Sequence, residues 1–238
     1  MNAEGTRDPT RRRHLPVVFF DLDGTLIDPF EGITGCYRHA LEALGRVPPP
    51  AADLAACIGP PLRNNLERLL GTTCRTTVEA GIRAFRARYA AWGWSRNVVY
   101  PGIPALLATL REAGARLFIA TAKPEPFATQ VTTHHGLLER VEAVYGPPLD
   151  GSQDDKARLL ARALGERGVD PADAVMIGDR RHDVKAAREN GVLAIQVTWG
   201  YAIPGEIEEA GATWVCDRPE QILERLGVAP RPARIPPS

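Results

Sequence analysis

Short apolar runs alternate with longer amphipathic segments along most of the chain. The runs are rich in β-branched and aliphatic residues, and the longer segments repeat their apolar positions with a helical period. This alternation is typical of βαβ units, in which helices join parallel strands. The predicted strands are Val17–Asp21, Arg116–Thr121, Glu142–Tyr145, Ala174–Gly178, Leu193–Val197 and Thr213–Cys216. The helices predicted between and after them are Ile103–Ala113, Pro126–His134, Asp154–Glu166, Arg181–Asn190, Pro204–Ala210 and Pro219–Leu226.

Residues 30–99 interrupt this alternation, because they contain no convincing strand. Their periodicity predicts three amphipathic helices instead: Glu31–Leu44, Pro61–Leu70 and Thr76–Trp92. We therefore expect an all-α insertion at 30–99 and an α/β core formed by 15–29 and 100–228. The polar residues 1–14 and the proline-rich residues 229–238 are expected to be disordered tails.

Composition favours a small-molecule partner. Lys plus Arg and Asp plus Glu each number 29 in 238 residues, so no net charge attracts nucleic acid or an anionic membrane. The cysteines are dispersed without a CxxC pair, which argues against a zinc site and a disulfide framework: Cys36, Cys57, Cys74 and Cys216. No apolar stretch approaches the roughly 20 residues that span a bilayer. We expect a cytoplasmic protein, either a monomer or a homodimer.

The segment 21–26, DLDGTL, places two carboxylates where the first buried strand opens into a turn. Because side chains two positions apart point to the same side of a strand, Asp21 and Asp23 are expected to face one site. Gly24 permits the turn, and the Thr25 hydroxyl can bond an oxyanion. Clustered carboxylates suit a hard cation such as Mg²⁺. A solvated acidic turn is the alternative for this motif taken alone.

Three further polar elements follow predicted strands or begin predicted helices. Thr121 ends a strand, although a helix cap would also explain it. Lys156 lies near a helix start and is one of only three lysines among the 29 basic residues, so lysine is not background usage here. Asp179 ends a strand and Asp183 follows four residues later; a helix cap and a favourable first-turn acid would explain either alone. Helix capping and first-turn acids explain single residues, but they do not predict that all of these elements occur in this order.

Taken together, these motifs resemble those of the haloacid dehalogenase superfamily of phosphohydrolases. The nearest resemblance is to the phosphoglycolate phosphatase-like branch with a helical cap, which the segments 59–62, GPPL, and 100–102, YPG, also resemble. The resemblance implies a Rossmann-like parallel sheet with helices on both faces and an inserted all-α cap domain. It also implies roles for residues of this chain: Asp21 as nucleophile, Asp23 as general acid/base, Thr121 as phosphate ligand, Lys156 as the stabilising charge, and Asp21, Asp23, Asp179 and Asp183 around Mg²⁺.

The expected activity is Mg²⁺-dependent hydrolysis of a small phosphomonoester through an aspartyl-phosphate. Asp23 disfavours a dehalogenase, because carbon–halogen cleavage needs no acid for its leaving group. The alternatives are a nucleoside 5′-monophosphate phosphatase, a phosphotransferase or mutase, and a binding protein without turnover.

Five residues are candidates for substrate binding. Thr25, Ala122 and Lys123 lie in or beside the motifs, and Arg63 follows the GPPL segment of the expected cap. Arg180 begins an Arg-Arg-His cluster at a position where many relatives have a small residue. For Arg63 a charged helix face is the alternative, and for Arg180 a solvated or acid-paired cluster.

Overall fold

The computed structural model describes residues 16–149 and 155–228. The predicted tails at 1–14 and 229–238, and the start of the helix predicted at 154, lie outside the described residues. The strands are β1 (Val17–Phe20), β2 (Ile27–Asp28), β3 (Val98–Val99), β4 (Leu117–Ala120), β5 (Ala143–Tyr145), β6 (Ala174–Gly178), β7 (Leu193–Val197) and β8 (Trp214–Cys216). The helices are α1 (Phe30–Ala43), α2 (Ala51–Leu54), α3 (Leu62–Leu70), α4 (Arg75–Ala91), α5 (Ile103–Glu112), α6 (Glu125–His134), α7 (Lys156–Arg167), α8 (Arg181–Glu189), α9 (Glu206–Ala210) and α10 (Pro219–Leu226).

Six strands form one parallel sheet in the order β5-β4-β1-β6-β7-β8. The central strand β1 pairs with β4 on one side and β6 on the other, with Phe20 opposite Ile119 and Ile177. The chain fills the β4 side first and then returns to build the β6 side. The strand order therefore reverses between β1 and β6, and open α/β sheets bind ligands at the carboxyl end of such a switch point.

Alternate residues of each strand bury against helices on opposite faces of the sheet. Val18 and Phe20 of β1 pack in a cluster with residues of α5, α6 and α10, whereas Phe19 packs with residues of α7 and α8. All three β1 side chains are fully buried. A strand that is covered on both faces has a continuous run of apolar residues, and this run is why the sequence predicted β1 correctly. The predicted α/β fold with a parallel sheet is confirmed.

Helices α1 to α4 form a separate helical layer with its own apolar cluster, which includes Tyr37, Leu41, Leu54 and Leu66. Two features of this region were not predicted. Helix α2 follows the proline cluster at 48–50, and β3 pairs antiparallel with β2 where the chain leaves and re-enters the core. Both elements are too short to show a period in the sequence. No helix within 16–149 and 155–228 is long and apolar enough to cross a membrane.

Candidate active site

A cavity of about 410 Å³ opens where the carboxyl ends of β1, β4 and β6 meet the helical layer. Its core side is lined by residues that follow these strands or begin the next helices, among them Asp21, Asp23, Thr121, Lys123, Lys156 and Asp183. Residues of α1, α3 and α4 line the opposite side. The candidate catalytic groups therefore lie at the switch point of the sheet, with the helical layer over them.

Lys156 joins two acids on the floor of the cavity. Its Nζ lies 2.8 Å from Oδ1 of Asp21 and also pairs with Oδ1 of Asp183, and all three side chains are buried. Lys156 begins α7, whose N-cap Asp155 accepts a hydrogen bond from the amide of Arg158. Burial opposes the charged form of Lys156, but the two carboxylates outweigh it and raise its pKa above the ordinary lysine value. The site thus keeps a cation beside Asp21.

Asp21, Asp179 and Asp183 each bring one carboxylate oxygen within 4.8 Å of the others. Burial, and after it repulsion from the two neighbouring acids, raises the pKa of Asp179 well above its usual range. Oδ2 of Asp179 accepts a hydrogen bond from the amide of Tyr201 at 2.7 Å, but Oδ1 accepts none from the described residues. Crowded, buried oxygen donors with unmet negative charge fit a hard cation such as Mg²⁺.

The Asp179 side chain packs directly against the backbone of two glycines, Gly24 and Gly200. A Cβ added to Gly24 or to Gly200 would overlap the Asp179 side chain. Gly24 also has φ of +84°, a conformation that side chains with Cβ rarely adopt. The glycine of the DLDGTL segment therefore serves both the turn and the close approach of an acid that lies far along the chain.

Asp23 lies outside the group of three acids. Its Oδ2 is 2.6 Å from Nζ of Lys123, and Lys123 also lies 4.9 Å from the ring centre of Tyr89 on α4. Burial raises the pKa of Asp23, and the Lys123 charge opposes this rise. The Asp23 carboxylate is thus paired with a lysine of the core that also lies near an aromatic ring of the helical layer. The sequence motifs had also predicted this carboxylate as a Mg²⁺ ligand, but it is not one of the three clustered acids.

The remaining predicted core residues divide into two groups. Thr121 is buried, lines the cavity beside Ala122, and accepts a hydrogen bond from the amide of Lys123 at 3.2 Å. Thr25 is also buried, but it does not line the cavity, and its hydroxyl has no hydrogen-bond partner among the described residues. Thr121 and Ala122 thus face the cavity, whereas Thr25 does not.

The guanidinium of Arg180 is already engaged by protein groups. Its Nε lies 3.0 Å from Oε1 of Glu206, its Nη2 lies 3.1 Å from Oε2, and Nη1 donates to the carbonyl of Ile58 in the helical layer. The structure therefore shows the acid-paired alternative that the sequence left open. Glu206 was not predicted, because an acid in the run EIEE at 206–209 is typical of an exposed helix face.

Arg63 points to a surface partner rather than being held for a ligand. It lines the cavity, but its guanidinium pairs with Glu79 and its side chain is 45% exposed. An unpredicted residue of α4, Arg86, lines the same cavity. The sequence did carry a signal for it: Arg86 interrupts an apolar stripe formed by Ile82, Phe85 and Tyr89.

Comparison with known proteins agrees with this geometry. The profile of the haloacid dehalogenase-like hydrolases matches residues 18–197. The chain is 41% identical to Tyrosine-protein kinase PtkA of Mycobacterium tuberculosis, over 89% of this chain and 72% of that protein. It is 38% identical to a 5′-nucleotidase of Pseudomonas aeruginosa, over 84% and 90% of the two chains. It is 32% identical to a plasmid-encoded phosphoglycolate phosphatase of Cupriavidus necator, over 93% and 95%.

Solved structures show the same fold. A crystal structure described as a "predicted phosphatase" from Clostridium acetobutylicum superposes with a TM-score of 0.85 at 33% identity, covering 90% of this chain and 99% of that one. The matched profile spans the strands that carry Asp21, Thr121 and Asp179, and the relatives extend the likeness to most of the chain. The protein therefore belongs to the haloacid dehalogenase-like hydrolase family.

Proposed function

We propose that the protein is a Mg²⁺-dependent phosphomonoester hydrolase that acts on a small metabolite through an aspartyl-phosphate on Asp21. The observation that carries this proposal is the position of the Asp21 carboxylate. It lies at the switch point of the sheet, on the floor of the cavity, with the Lys156 ammonium 2.8 Å away. The relatives named phosphoglycolate phosphatase and 5′-nucleotidase support the same reaction class.

In the first step, a carboxylate oxygen of Asp21 attacks the phosphorus of the substrate. The bond from phosphorus to the leaving oxygen breaks, and an acyl phosphate forms on Asp21. The Lys156 ammonium lies beside Asp21 and offsets the repulsion between an anionic nucleophile and an anionic phosphoryl group. Thr121 lines the same floor, and its hydroxyl would donate a hydrogen bond to a phosphoryl oxygen.

Asp23 serves both halves of the reaction as acid and then base. It gives its proton to the leaving oxygen, which departs as an alcohol, and later takes a proton from the water that hydrolyses the acyl phosphate. Inorganic phosphate and a free Asp21 carboxylate result. The ion pair with Lys123 holds the Asp23 carboxylate in one orientation on the cavity wall.

The acids that would hold Mg²⁺ are Asp21, Asp179 and Asp183. Their crowding supports this assignment, as does Oδ1 of Asp179, which accepts no hydrogen bond from the residues that the structure describes. When bound, the ion supplies positive charge that neutralises phosphoryl oxygens and orients the phosphoryl group toward the nucleophile.

The helical layer is proposed to act as a lid over the reacting groups. Residues 30–99 enter directly after the strand of the nucleophile, and they contact the core site through Tyr89 and the carbonyl of Ile58. Closure of such a lid excludes bulk water and commits the substrate. Selection among substrates would then depend mainly on the residues that the layer adds to the cavity.

A nucleoside 5′-monophosphate is the second candidate substrate. Phe85 and Tyr89 of α4 and Phe127 of α6 bring aromatic rings to the cavity wall, and such rings suit a nucleobase. A relative named 5′-nucleotidase is 38% identical to this chain over 201 aligned residues. Phosphoryl transfer to another acceptor is the third candidate, supported by the relative named as a tyrosine-protein kinase.

A single panel of assays separates these candidates. The protein is incubated with Mg²⁺ and with phosphoglycolate, nucleoside monophosphates or sugar phosphates, and both released phosphate and phosphorylated acceptors are quantified. A hydrolase releases one phosphate for each substrate consumed, whereas a transferase releases less phosphate than substrate consumed when an acceptor is present. Absence of phosphate release from every phosphomonoester would contradict the proposed function.

A further inference from the structure

Helix α4 presents one continuous face to the cavity. The residues of α4 that line it are Ile82, Phe85, Arg86 and Tyr89, which are spaced at i, i+3, i+4 and i+7 and so lie on one face of the helix. Three of the four are apolar or aromatic. Arg86 is the charged member of this stripe, and it is half-buried.

The other lysines and arginines that line the cavity are each paired with a carboxylate. These residues are Arg63, Lys123, Lys156, Arg180 and Lys185. For Arg86, in contrast, the described part of the chain provides neither a hydrogen-bond acceptor nor an ion-pair partner. Within 16–149 and 155–228, the cavity thus contains one arginine whose charge is unmatched, set on a helix face that is otherwise apolar or aromatic.

An unmatched guanidinium in a partly apolar cavity is suited to an anionic ligand. Its planar array of donors binds a carboxylate or a phosphate through two parallel hydrogen bonds. The interaction is stronger in such a cavity than on an open surface, because the apolar walls lower the local dielectric. Lys156 already serves the nucleophile on the core side, whereas Arg86 comes from the helical layer, where the leaving part of a substrate would lie.

We propose that Arg86 binds a second anionic group, a carboxylate or a phosphate, on the leaving part of the substrate. Arg86 would then select small phosphomonoesters that carry such a group over those of the same size that do not. This inference rests on the proposed function and assigns to Arg86 the specificity role that the sequence suggested for Arg63. Arg63 is the weaker candidate, because Glu79 already neutralises it.

The test compares kcat/KM for three substrates that share a two-carbon unit and differ in the group at its far end: ethyl phosphate, 2-phosphoglycolate and the bisphosphate of ethylene glycol. Arg86→Gln should lower kcat/KM about 10-fold or more for at least one of the two substrates with a second anion, as expected when a charge-assisted hydrogen bond is lost. Its effect on ethyl phosphate should stay within about 2-fold. The substrate that is affected more identifies the second group as carboxylate or phosphate. Arg86→Lys should restore part of the loss, since it restores the charge.

Arg83→Gln is the matched control. Arg83 is an exposed arginine of the same helix that does not line the cavity, so its substitution changes the net charge equally. It should leave all three values unchanged. An equal loss for all three substrates with Arg86→Gln would overturn the proposal, because Arg86 would then act on the phosphoryl group or on the fold. No loss for any substrate would overturn it as well.

A binding measurement keeps this inference separate from the proposed function. Calorimetric titration of 2-phosphoglycolate and of ethylene glycol bisphosphate into the Asp21→Asn protein, with and without Arg86→Gln, measures recognition without turnover. Arg86→Gln should weaken at least one of these ligands about 10-fold. Suppose that the wild type hydrolyses a phosphomonoester, but Arg86→Gln does not weaken the binding of either ligand. The role of Arg86 would then be overturned, and the proposed function would stand. Absence of wild-type turnover of every phosphomonoester would sink the proposed function. Absence of binding of both ligands would overturn the role of Arg86.

Discussion

Lys123 Nζ lies 2.6 Å from Asp23 Oδ2 in a buried ion pair between residues that are 100 positions apart in the chain. The Tyr89 ring, on helix α4, packs over the same ammonium with its centre 4.9 Å away. The proposed general acid/base is thus linked to the helical layer through a single lysine. A movement of the helical layer would therefore change the surroundings of Asp23 through the contact between Tyr89 and Lys123.

Lys123→Met is expected to reduce kcat about 10-fold or more for an alkyl phosphate and less for an aryl phosphate. The reason is that an alkoxide needs a proton from a well-oriented Asp23 when it leaves, whereas a phenolate needs little help. Steady-state kinetics with both substrate types measure the difference. Arg83→Met is the control, since Arg83 is exposed and does not line the cavity. Equal losses on both substrate types would argue against an orienting role.

Asp21→Asn is expected to abolish turnover while the protein stays folded, with kcat reduced by at least about 100-fold. The amide keeps the shape of the side chain but cannot attack phosphorus. Phosphate release and the melting temperature should be measured on the same sample, after mass spectrometry has excluded deamidation. Activity above a few per cent of the wild type would remove Asp21 as the nucleophile.

Mg²⁺ is expected to raise the melting temperature as well as to restore activity after chelation. The ion would relieve the repulsion among Asp21, Asp179 and Asp183, and a ligand that binds only the folded state stabilises it by mass action. Thermal unfolding with and without Mg²⁺ measures the shift. In Asp179→Asn the shift should be largely lost. A shift of the same size in wild type and variant would place the ion elsewhere.

Glu206→Gln is expected to destabilise the protein by about 3 kcal/mol at neutral pH, because it leaves the buried Arg180 guanidinium without its counter-charge. Urea unfolding measures this loss. Glu208→Gln, an exposed acid of the same helix, should have little effect. If the Glu206→Gln protein were as stable as the wild type, the ion pair would contribute nothing to the fold.

The same pair predicts a pH dependence. Burial favours the neutral form of Glu206, but hydrogen bonds from Arg180 and from the amides of Arg181 and Ile203 outweigh it, so the pKa of Glu206 lies below the usual 4.5. The stability that ionised Glu206 contributes is therefore complete above pH 4.5 and is lost as the pH falls through the lower pKa of the folded state. The stability difference between wild type and Glu206→Gln should shrink over that acidic range. A constant difference would contradict this assignment.

Much of the fold was determined by local sequence. The apolar run of β1 marks a strand buried on both faces, and the amphipathic period marks each of the longer helices, because burial and periodicity are properties of neighbouring residues. The placement of the motifs was also predictable. Asp21, Thr121 and Asp179 each follow a parallel strand, and the carboxyl ends of such strands share one edge of the sheet. The order of the motifs then indicated the family.

The pairing of the charged groups was decided only by the tertiary structure. Asp21 and Asp23 are equivalent in their local pattern, yet Asp21 joins Asp179, Asp183 and Lys156, whereas Asp23 pairs with Lys123. The sequence could not make this distinction, because the pairing depends on distances across strands and helices that are far apart in the chain. Charge–charge interactions follow those distances and the local burial, and neither is encoded by spacing along the chain.

The same reason explains the arginines. In the sequence, Arg63, Arg86 and Arg180 are all basic residues of helices or helix starts. The apolar stripe around Arg86 sets it apart, but nothing local shows which of the three arginines pairs with an acid. In the folded protein, Arg63 pairs with Glu79 and Arg180 pairs with Glu206. Arg86 faces the cavity without a partner among the described residues. The sequence by itself determined the parallel α/β fold and which strand ends carry the candidate reacting groups, because burial and periodicity are local properties. The tertiary contacts decided which charges are neutralised, and they leave Arg86 as the cavity arginine without a partner in the described part of the chain, because pairing depends on distances between residues that are far apart in sequence.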